Sequence, residues 1–306
     1  MNRHMAILPV AGIGLIFGLF AQAASIKLLS ANIGNSDLIC TGYDWKLCRS
    51  SVEQRVTDSI RAIDADVALL QEVVPAERCS ARDERKRGFV CYAFANRPRN
   101  EQEQARRILG PDYTIVVTRG AFEAVAVKKG VGHIQGCPDG SLCVVSGLPF
   151  PSSCDQGFSI TPVDVEIQGK QIRLINGHPD SISISCRAAE VAAAFQSVIP
   201  GRTLMAGDWN LDPYRSNDQS ARVWKENFKS LGFHYLSGIA ERNPPYFTIF
   251  LPLAGIPLKT LDHVVSDFAQ GDCRVLGVSP GTKRLDGRSD LDHRGILCNL
   301  EFGKPE

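Results

Sequence analysis

The sequence lacks several features that would define other classes of protein. No two cysteines are separated by two residues, which argues against zinc ribbons and dithiol redox sites. The longest apolar run has about 16 residues, fewer than the roughly 20 of a membrane-spanning helix. Net charge is also nearly absent, with 34 Lys and Arg against 33 Asp and Glu, so a strongly basic binding protein is excluded. Without a repeat or a linker, one large domain is expected.

The N-terminus has the composition of an export signal. MNRH is a short basic start, MAILPVAGIGLIFGLF is apolar, and AQA is a small-residue cleavage signature. We predict cleavage after Ala23, which divides the chain into a signal peptide, residues 1–23, and one domain, residues 24–306. An uncleaved anchor is the alternative. Both interpretations predict a secreted or periplasmic domain, and cleavage would leave it with no stable membrane insertion.

Ten cysteines in a chain with an export signal favour structural disulfides over metal binding. Connectivity cannot be deduced from sequence, but spacing suggests candidate pairs. These pairs are Cys137 with Cys143, Cys40 with Cys48, Cys79 with Cys91, and Cys273 with Cys298.

Short apolar or alternating runs bordered by turn residues predict many strands and few helices. The predicted strands are SIKLLSANI, DVALLQEV, DYTIVV, FEAVAVK, ITPVDVEIQ, KQIRLING, TLMAGDW, LDHVVS, CRVLGVS and ILCNLEF. The predicted helices are SSVEQRVTDSIRAID, CRAAEVAAAFQSV and SARVWKENFKSLGF. This ratio predicts two packed sheets flanked by helices.

Polar residues recur where the predicted strands end. A carboxylate that closes a nearly all-apolar strand, as Glu72 does in DVALLQE, is costly unless it is paired or holds a cation. Strand alternation predicts that Asp208 and Asn210 share one face. Each residue alone is ordinary as a turn former or helix cap. Together they favour a site for one hard cation and one phosphate, and the full set is Asn32, Glu72, His178, Asp208, Asn210, Asp262, Asp292 and His293.

The order and wording of these segments resemble the endonuclease/exonuclease/phosphatase superfamily, which contains DNase I-like nucleases, bacterial sphingomyelinases and inositol polyphosphate phosphatases. LLQEV, GDWNLDP and DHRGI carry the resemblance, which extends over residues 25–302. It implies an α/β fold, a four-layered sandwich of two packed mixed β-sheets flanked by helices. It also implies a divalent-metal phosphoesterase in which Asn32, Glu72 and Asp292 bind Mg²⁺ or Mn²⁺ through oxygen atoms.

The resemblance assigns the remaining residues to the phosphate and the attacking water. Asp208 and Asn210 would orient the water and hold the phosphate. His178 and His293 would supply hydrogen bonds or a proton to its oxygens. Asp262 would pair with His293 and favour a charged imidazole.

The chain departs from the family pattern at two positions. Gly177 precedes the first histidine where the family usually has threonine, and the usual closing SDH reads SDLDH here. A looser match predicts that Glu123 pairs with His178. His263 is not expected to be catalytic, and the remaining polar candidates, His133, His234, Asp180 and Arg215, are expected to be exposed loop residues.

A nucleic acid, and DNA first, is the expected substrate, because GDWNLDP is closer to the nuclease branches than to the inositol phosphatases. Residues 76–107 hold nine basic side chains against five acidic ones, which either attract a polyphosphate or form a solvated surface. A sphingomyelinase-like lipid phosphodiesterase is the alternative, and the apolar segment 244–258 would be its membrane contact. The other interpretation of this segment is an edge strand with a buried turn. A noncatalytic binding protein is disfavoured, since every main site position is filled.

Overall fold

The computed structural model describes residues 25–34, 50–76, 98–154, 159–237, 248–250, 257–288 and 291–302. The predicted signal peptide and the cysteine pairs predicted at positions 40 and 48 and at positions 79 and 91 lie outside these residues. Most of the basic segment, residues 76–107, and most of the apolar segment, residues 244–258, also lie outside them. Among the described helices, none is both long enough and apolar enough to cross a membrane.

The first sheet has seven strands. They are β1 (Ile26–Asn32), β2 (Val67–Gln71), β3 (Tyr113–Thr118), β4 (Ala124–Lys128), β6 (Leu142–Val145), β14 (Ala269–Val275) and β15 (Ile296–Phe302). Their order is β14–β15–β1–β2–β4–β3–β6. The β1–β2 and β3–β6 pairs are parallel and the others antiparallel, so the sheet is mixed.

The second sheet has six strands and packs against the first. They are β5 (Gly132–Ile134), β7 (Ser159–Ile167), β8 (Lys170–His178), β9 (Thr203–Asp208), β10 (His234–Tyr235) and β13 (Asp262–Ser266). Their order is β10–β13–β9–β8–β7–β5, and only β8–β9 is parallel among these described pairs. A separate two-stranded hairpin joins β11 (Ile249–Phe250) and β12 (Pro257–Lys259).

Helices cover the outer faces of both sheets. They are α1 (Ser50–Ile63), α2 (Arg99–Gln102), α3 (Gln104–Leu109), α4 (Ile184–Gln196) and α5 (Gln219–Ser230). Val56 of α1 packs on the outer face of the seven-stranded sheet, and Trp224 of α5 packs on that of the six-stranded sheet. Leu28 and Leu174 belong to the core between the sheets. The predicted four-layered α/β sandwich is confirmed.

Some helix and strand boundaries differ from the predicted ones because a side-chain hydrogen bond caps the helix or ends the strand. Helix α4 starts at Ile184, two residues before the predicted start, because the Ser183 hydroxyl accepts a hydrogen bond from Cys186 N at 3.3 Å. The predicted strand CRVLGVS ends at Val275, whose N–H donates to the Ser279 hydroxyl at 2.9 Å. The strands β5, β6 and β10 and the helices α2 and α3 are too short to show a period, and the sequence did not predict them. Strands β11 and β12 overlap the segment 244–258, for which an edge strand was one of two interpretations.

Three disulfides link the six described cysteines. The predicted pairs Cys137–Cys143 and Cys273–Cys298 are confirmed. The third disulfide, Cys154–Cys186, was not predicted, because 32 positions separate its cysteines and no local loop indicates the pair.

Candidate active site

The polar strand ends meet at one edge of the two packed sheets. In the first sheet β1 ends at Asn32 and β2 at Gln71, and in the second β8 ends at His178 and β9 at Asp208. The Asn32 amide donates hydrogen bonds to Glu72 Oε1 at 3.1 Å and to Asp208 Oδ2 at 3.0 Å. One side chain therefore connects a carboxylate of each sheet.

Glu72 lies just beyond β2 in a left-handed backbone conformation, with a φ of 57°. Such a conformation is costly for a residue other than glycine and is common at functional sites. A Cβ at Gly34 would overlap Glu72 Oε2, so the Glu72 carboxylate occupies the volume that a side chain at position 34 would need. The Glu72 side chain retains 17% of its accessible surface, whereas His178 beside it retains 2%.

The first of two histidine–carboxylate pairs joins His178 and Glu123. His178 Nδ1 lies 3.1 Å from Glu123 Oε1, and because a carboxylate can only accept, Nδ1 carries the proton. His178 Nε2 then faces the site, 3.8 Å from Glu72 Oε1 and 3.9 Å from Asp208 Oδ2. The predicted pairing of these residues is present, and it fixes the orientation of a buried imidazole.

The second pair joins His293 and Asp262. His293 Nδ1 lies 2.9 Å from Asp262 Oδ2, and its Nε2 lies 3.5 Å from Asp208 Oδ2. Asp262 and Asp208 are opposite each other in the antiparallel β9–β13 pair, which brings both carboxylates to the ring. Burial alone lowers the pKa of His293, but the charges of Asp262 and Asp208 and the hydrogen bond outweigh it and raise the pKa well above the ordinary value.

Asp208 is the residue that both imidazoles approach. Burial raises the pKa of Asp208 to about 7, although the positive charge of His293 acts in the opposite direction. The charge of Asp262 raises this pKa further, and the hydrogen bond from Asn32 lowers it. Asp208 is thus poised to exchange a proton near neutral pH.

Asn210 and Asp292 occupy positions around this centre. The strand ends at Asp208, and Asn210 follows with a φ of 50°, so the prediction that alternation sets the faces of both side chains is wrong. Asn210 instead donates from its backbone N to Asp208 Oδ1 at 3.0 Å and from Nδ2 to Pro179 O at 2.9 Å. Asp292 is half-buried and accepts from His293 N at 3.1 Å.

Two sets of side chains could hold a cation. One ligand atom from each of Asp208, Asp262 and His293 lies within 4.8 Å of the others. All three are buried, and His293 Nδ1 already bonds Asp262, so this set is better described as a hydrogen-bond network. Mg²⁺ prefers oxygen ligands and retains waters. The partly exposed Glu72, beside the Asn32 amide, fits that preference better.

Gly177 is explained by its neighbour Trp209. A Cβ at Gly177 would lie 2.5 Å from Cζ2 and 2.7 Å from Cε2 of the indole ring. Trp209 is fully buried, and its ring centroid lies 4.9 Å from that of Trp224. The indole therefore fills the volume in which the expected threonine side chain would lie.

The sequence analysis missed a buried amide pair beneath the site. Gln71 Nε2 donates to Asn176 Oδ1 at 2.7 Å, and Asn176 Nδ2 donates to the carbonyls of Leu70 and Ala124 at 3.0 Å each. Since β8 carries Asn176 and the other sheet carries its partners, the pair connects the two sheets. Amides inside otherwise apolar strands were the available signal.

Four polar residues were expected in exposed loops, and in the structure they differ in exposure and in secondary structure. Arg215 is exposed in a turn, His133 is exposed but on β5, and His234 is half-buried on β10. The expectation is therefore confirmed for Arg215 and wrong for the two histidines, which lie on strands, and for Asp180, which is 4% exposed. Its Oδ1 accepts from Ile182 N and Ser183 N, which closes the turn after His178.

The end of the basic segment is used inside the protein. Arg106 donates to the carbonyls of Gly110, Tyr113 and Gly140. Arg107 forms a salt bridge with Glu53 in which both side chains are less than 10% exposed, at 8% and 6%. These two arginines are therefore structural, and the prediction that they help attract a polyphosphate is wrong for them. Arg78 to Arg97 lie outside the described residues.

Comparisons with known proteins identify the fold. TDP2 of D. rerio, complexed with single-strand DNA product, is 15% identical, covers 90% of this chain and 99% of its own, and gives a TM-score of 0.60. An endonuclease/exonuclease/phosphatase family protein from Bacteroides thetaiotaomicron is 14% identical, with coverages of 92% and 97% and a TM-score of 0.60. The endonuclease domain of TRAS1, a telomere-specific non-LTR retrotransposon, is 14% identical, with coverages of 92% and 100% and a TM-score of 0.53. No family sequence model and no curated sequence matches the chain.

The chain thus has the same fold as these solved structures, the DNase I-like fold that its sequence predicted.

Proposed function

We propose that the protein is a secreted or periplasmic phosphodiesterase that depends on Mg²⁺ or Mn²⁺ and hydrolyses DNA. The observation that carries the proposal is the convergence of two histidine–carboxylate pairs, His178–Glu123 and His293–Asp262, on Asp208. Such a set combines a carboxylate able to exchange a proton with two oriented imidazoles, which is what hydrolysis of a phosphodiester requires.

Glu72, Asn32 and Asp292 would hold the divalent cation. The buried site contains more carboxylates than imidazoles, and buried negative charge needs a compensating cation. Glu72 remains partly exposed at the edge of the buried site, which supports a ligand role with retained waters. When bound, the cation supplies Lewis-acid stabilisation of charge on the phosphate oxygens.

The remaining residues would act on the water and the phosphate. Asp208 orients the water for in-line attack on phosphorus and accepts its proton, which a pKa of about 7 permits. Asn210 lies beside Asp208 and holds the phosphate. His178 and His293 direct Nε2 toward the site, and each ring in its doubly protonated form would donate a hydrogen bond from Nε2 to a phosphate oxygen. Asp262 keeps His293 oriented and raises its pKa, which favours the donor form.

Two considerations favour extracellular DNA as the substrate. TDP2 of D. rerio, which has a similar fold, was crystallised with a single-strand DNA product. The described cysteines are all in disulfides, which is typical of proteins in oxidising compartments. The predicted signal peptide, residues 1–23, agrees with that location.

A sphingomyelinase-like lipid phosphodiesterase is the second candidate. Ile182 is 86% exposed and Ile184 is 44% exposed, and both follow His178 closely in the chain. Exposed apolar side chains near an active site suit contact with a lipid surface. A noncatalytic binding protein on the same scaffold is a third, weaker candidate, because all the main site residues are present.

The test is hydrolysis by the purified mature protein with Mg²⁺, in parallel on plasmid DNA, RNA, sphingomyelin vesicles and inositol phosphates. Cleavage of DNA that EDTA abolishes and Mg²⁺ or Mn²⁺ restores is the expected result. Asp208→Asn, which keeps the side-chain shape, is the matched inactive control. Hydrolysis of sphingomyelin alone would establish the second candidate, and no hydrolysis of any substrate would refute both.

A further inference from the structure

Thr248 contacts both chain segments that carry the His293–Asp262 pair. Its hydroxyl accepts hydrogen bonds from Leu261 N and Asp262 N, each at 3.1 Å. Its backbone carbonyl accepts from Arg294 N at 2.7 Å. Thr248 is 1% exposed, so these contacts lie inside the protein. One residue is thus bonded directly to Asp262 and to the neighbour of His293.

The hydrogen bonds to Thr248 take the place of a neighbouring strand at the end of β13 with which β10 does not pair. Strand β10 pairs with β13 at Val265 and Ser266, and the Ser237 hydroxyl accepts from Val264 N at 2.9 Å. At the Asp262 end of β13, the Thr248 hydroxyl takes over this function. Buried N–H groups need such acceptors, because an unsatisfied one is destabilising.

Asp262 and His293 belong to different sheets. Asp262 begins β13 of the six-stranded sheet, and His293 precedes β15 of the seven-stranded sheet. Their hydrogen bond of 2.9 Å therefore depends on the relative position of two separate parts of the fold. Thr248 links these parts beside the hydrogen bond.

We propose that Thr248 is a positioning residue that sets the distance and angle between the Asp262 carboxylate and the His293 ring. It acts through this pair and does not touch the substrate. The inference rests on the proposed function for the reaction that the pair serves.

Substitutions can isolate the hydroxyl. Thr248→Val replaces it with a methyl group of similar size and leaves two buried N–H groups without their acceptor. Thr248→Ser retains the acceptor, and Thr248→Cys supplies a weaker one. Thr203→Val is the matched control, because the buried Thr203 hydroxyl bonds Ile199 N at 2.9 Å and Ile199 O at 2.8 Å, at the end of β9 away from Asp208.

The measurement is hydrolysis of bis(p-nitrophenyl) phosphate, well below the melting temperature of each variant. We expect Thr248→Val to lower kcat by about 10- to 100-fold, since a displacement near 1 Å can have that effect. KM should stay unchanged. Thr248→Ser should restore most of the rate, and Thr203→Val should lower the melting temperature without lowering kcat. In a His293→Ala background, Thr248→Val should cause no further loss.

A normal kcat for Thr248→Val, or its full effect in the His293→Ala background, would overturn the proposal. If Thr248→Val does not fold, Thr248→Cys serves in the same comparison. A readout that needs no activity is the low-field proton NMR signal of His293 Nδ1 in its hydrogen bond to Asp262. We expect this signal to weaken in Thr248→Val and to persist in Thr203→Val. An inactive wild type refutes the proposed function, whereas an unchanged signal refutes the positioning role.

Discussion

Threonine in place of Gly177, which would match the family pattern, should destabilise the protein. The reason is the indole of Trp209, since even a Cβ at this position would lie 2.5 to 2.7 Å from three of its ring atoms. Real Cβ contacts do not come this close, so the ring or a strand must move. Overpacking of this kind costs about 1 to 3 kcal/mol, and we expect Gly177→Ala to lie in that range and Gly177→Thr at its upper end or above.

A smaller side chain at position 209 should remove the destabilisation that Gly177→Ala causes. Trp209→Leu alone removes a buried ring and should cost about 3 to 5 kcal/mol. In that background, however, Gly177→Ala should be close to neutral, because its Cβ no longer meets an aromatic ring. The four proteins form a double-mutant cycle with an expected coupling of about 1 to 3 kcal/mol.

Urea unfolding monitored by circular dichroism measures each free energy of unfolding, and equal m-values would show that the unfolding transitions are comparable. The rate on bis(p-nitrophenyl) phosphate should fall in Gly177→Ala, because Trp209 directly follows Asp208 and a displaced ring moves that carboxylate. Additive free energies in the cycle, or a neutral Gly177→Ala in the wild-type background, would show that Trp209 does not fill the volume beside Gly177.

Three further predictions concern the site and the disulfides. We expect kcat/KM to fall by about 100-fold or more in each of the variants Glu72→Ala, Asp208→Ala and His293→Ala, with an unchanged circular dichroism spectrum. Folded variants with near-normal rates would contradict the site assignment. As the pH rises through about 7, Asp208 loses its proton and kcat/KM should increase. At higher pH, His293 loses its proton, because its pKa is raised, and kcat/KM should fall. A kcat/KM that does not change with pH around 7 would contradict the role of Asp208 as the proton acceptor. Mass spectrometry of the unreduced protein should find the pairs Cys137–Cys143, Cys154–Cys186 and Cys273–Cys298, and their reduction should lower stability by about 2 to 5 kcal/mol for each bond. Free thiols at these positions would contradict the oxidising location.

The longer elements could be predicted because their side chains repeat with a clear period. Strand β7, SITPVDVEI, alternates between buried and less buried residues along most of its length, so a period of two was visible in the sequence. Strand β6 has four residues and an irregular burial pattern, because it lies at the edge of its sheet. Such a short segment carries too few residues to distinguish a strand from a loop.

The members of the candidate site could be named from sequence, but their contacts could not. Position at a strand end selected Asp208, and the family resemblance selected Asp262 as the partner of His293. No local pattern indicated Thr248, because its contacts to Asp262 and Arg294 cross 14 and 46 positions of the chain. The packing of Trp209 against Gly177 likewise depends on the close approach of two parallel strands, which sequence spacing does not encode.

The bond between Asn32 and Asp208 crosses 176 positions, and His293 lies near the opposite end of the chain from Asn32. Asp208 and His293 both lie beyond residue 200, so a ribosome that has added only the first two hundred residues has produced neither. An unfinished copy of this chain lacks part of the candidate site, which can assemble only after the segment that carries His293 has been synthesised.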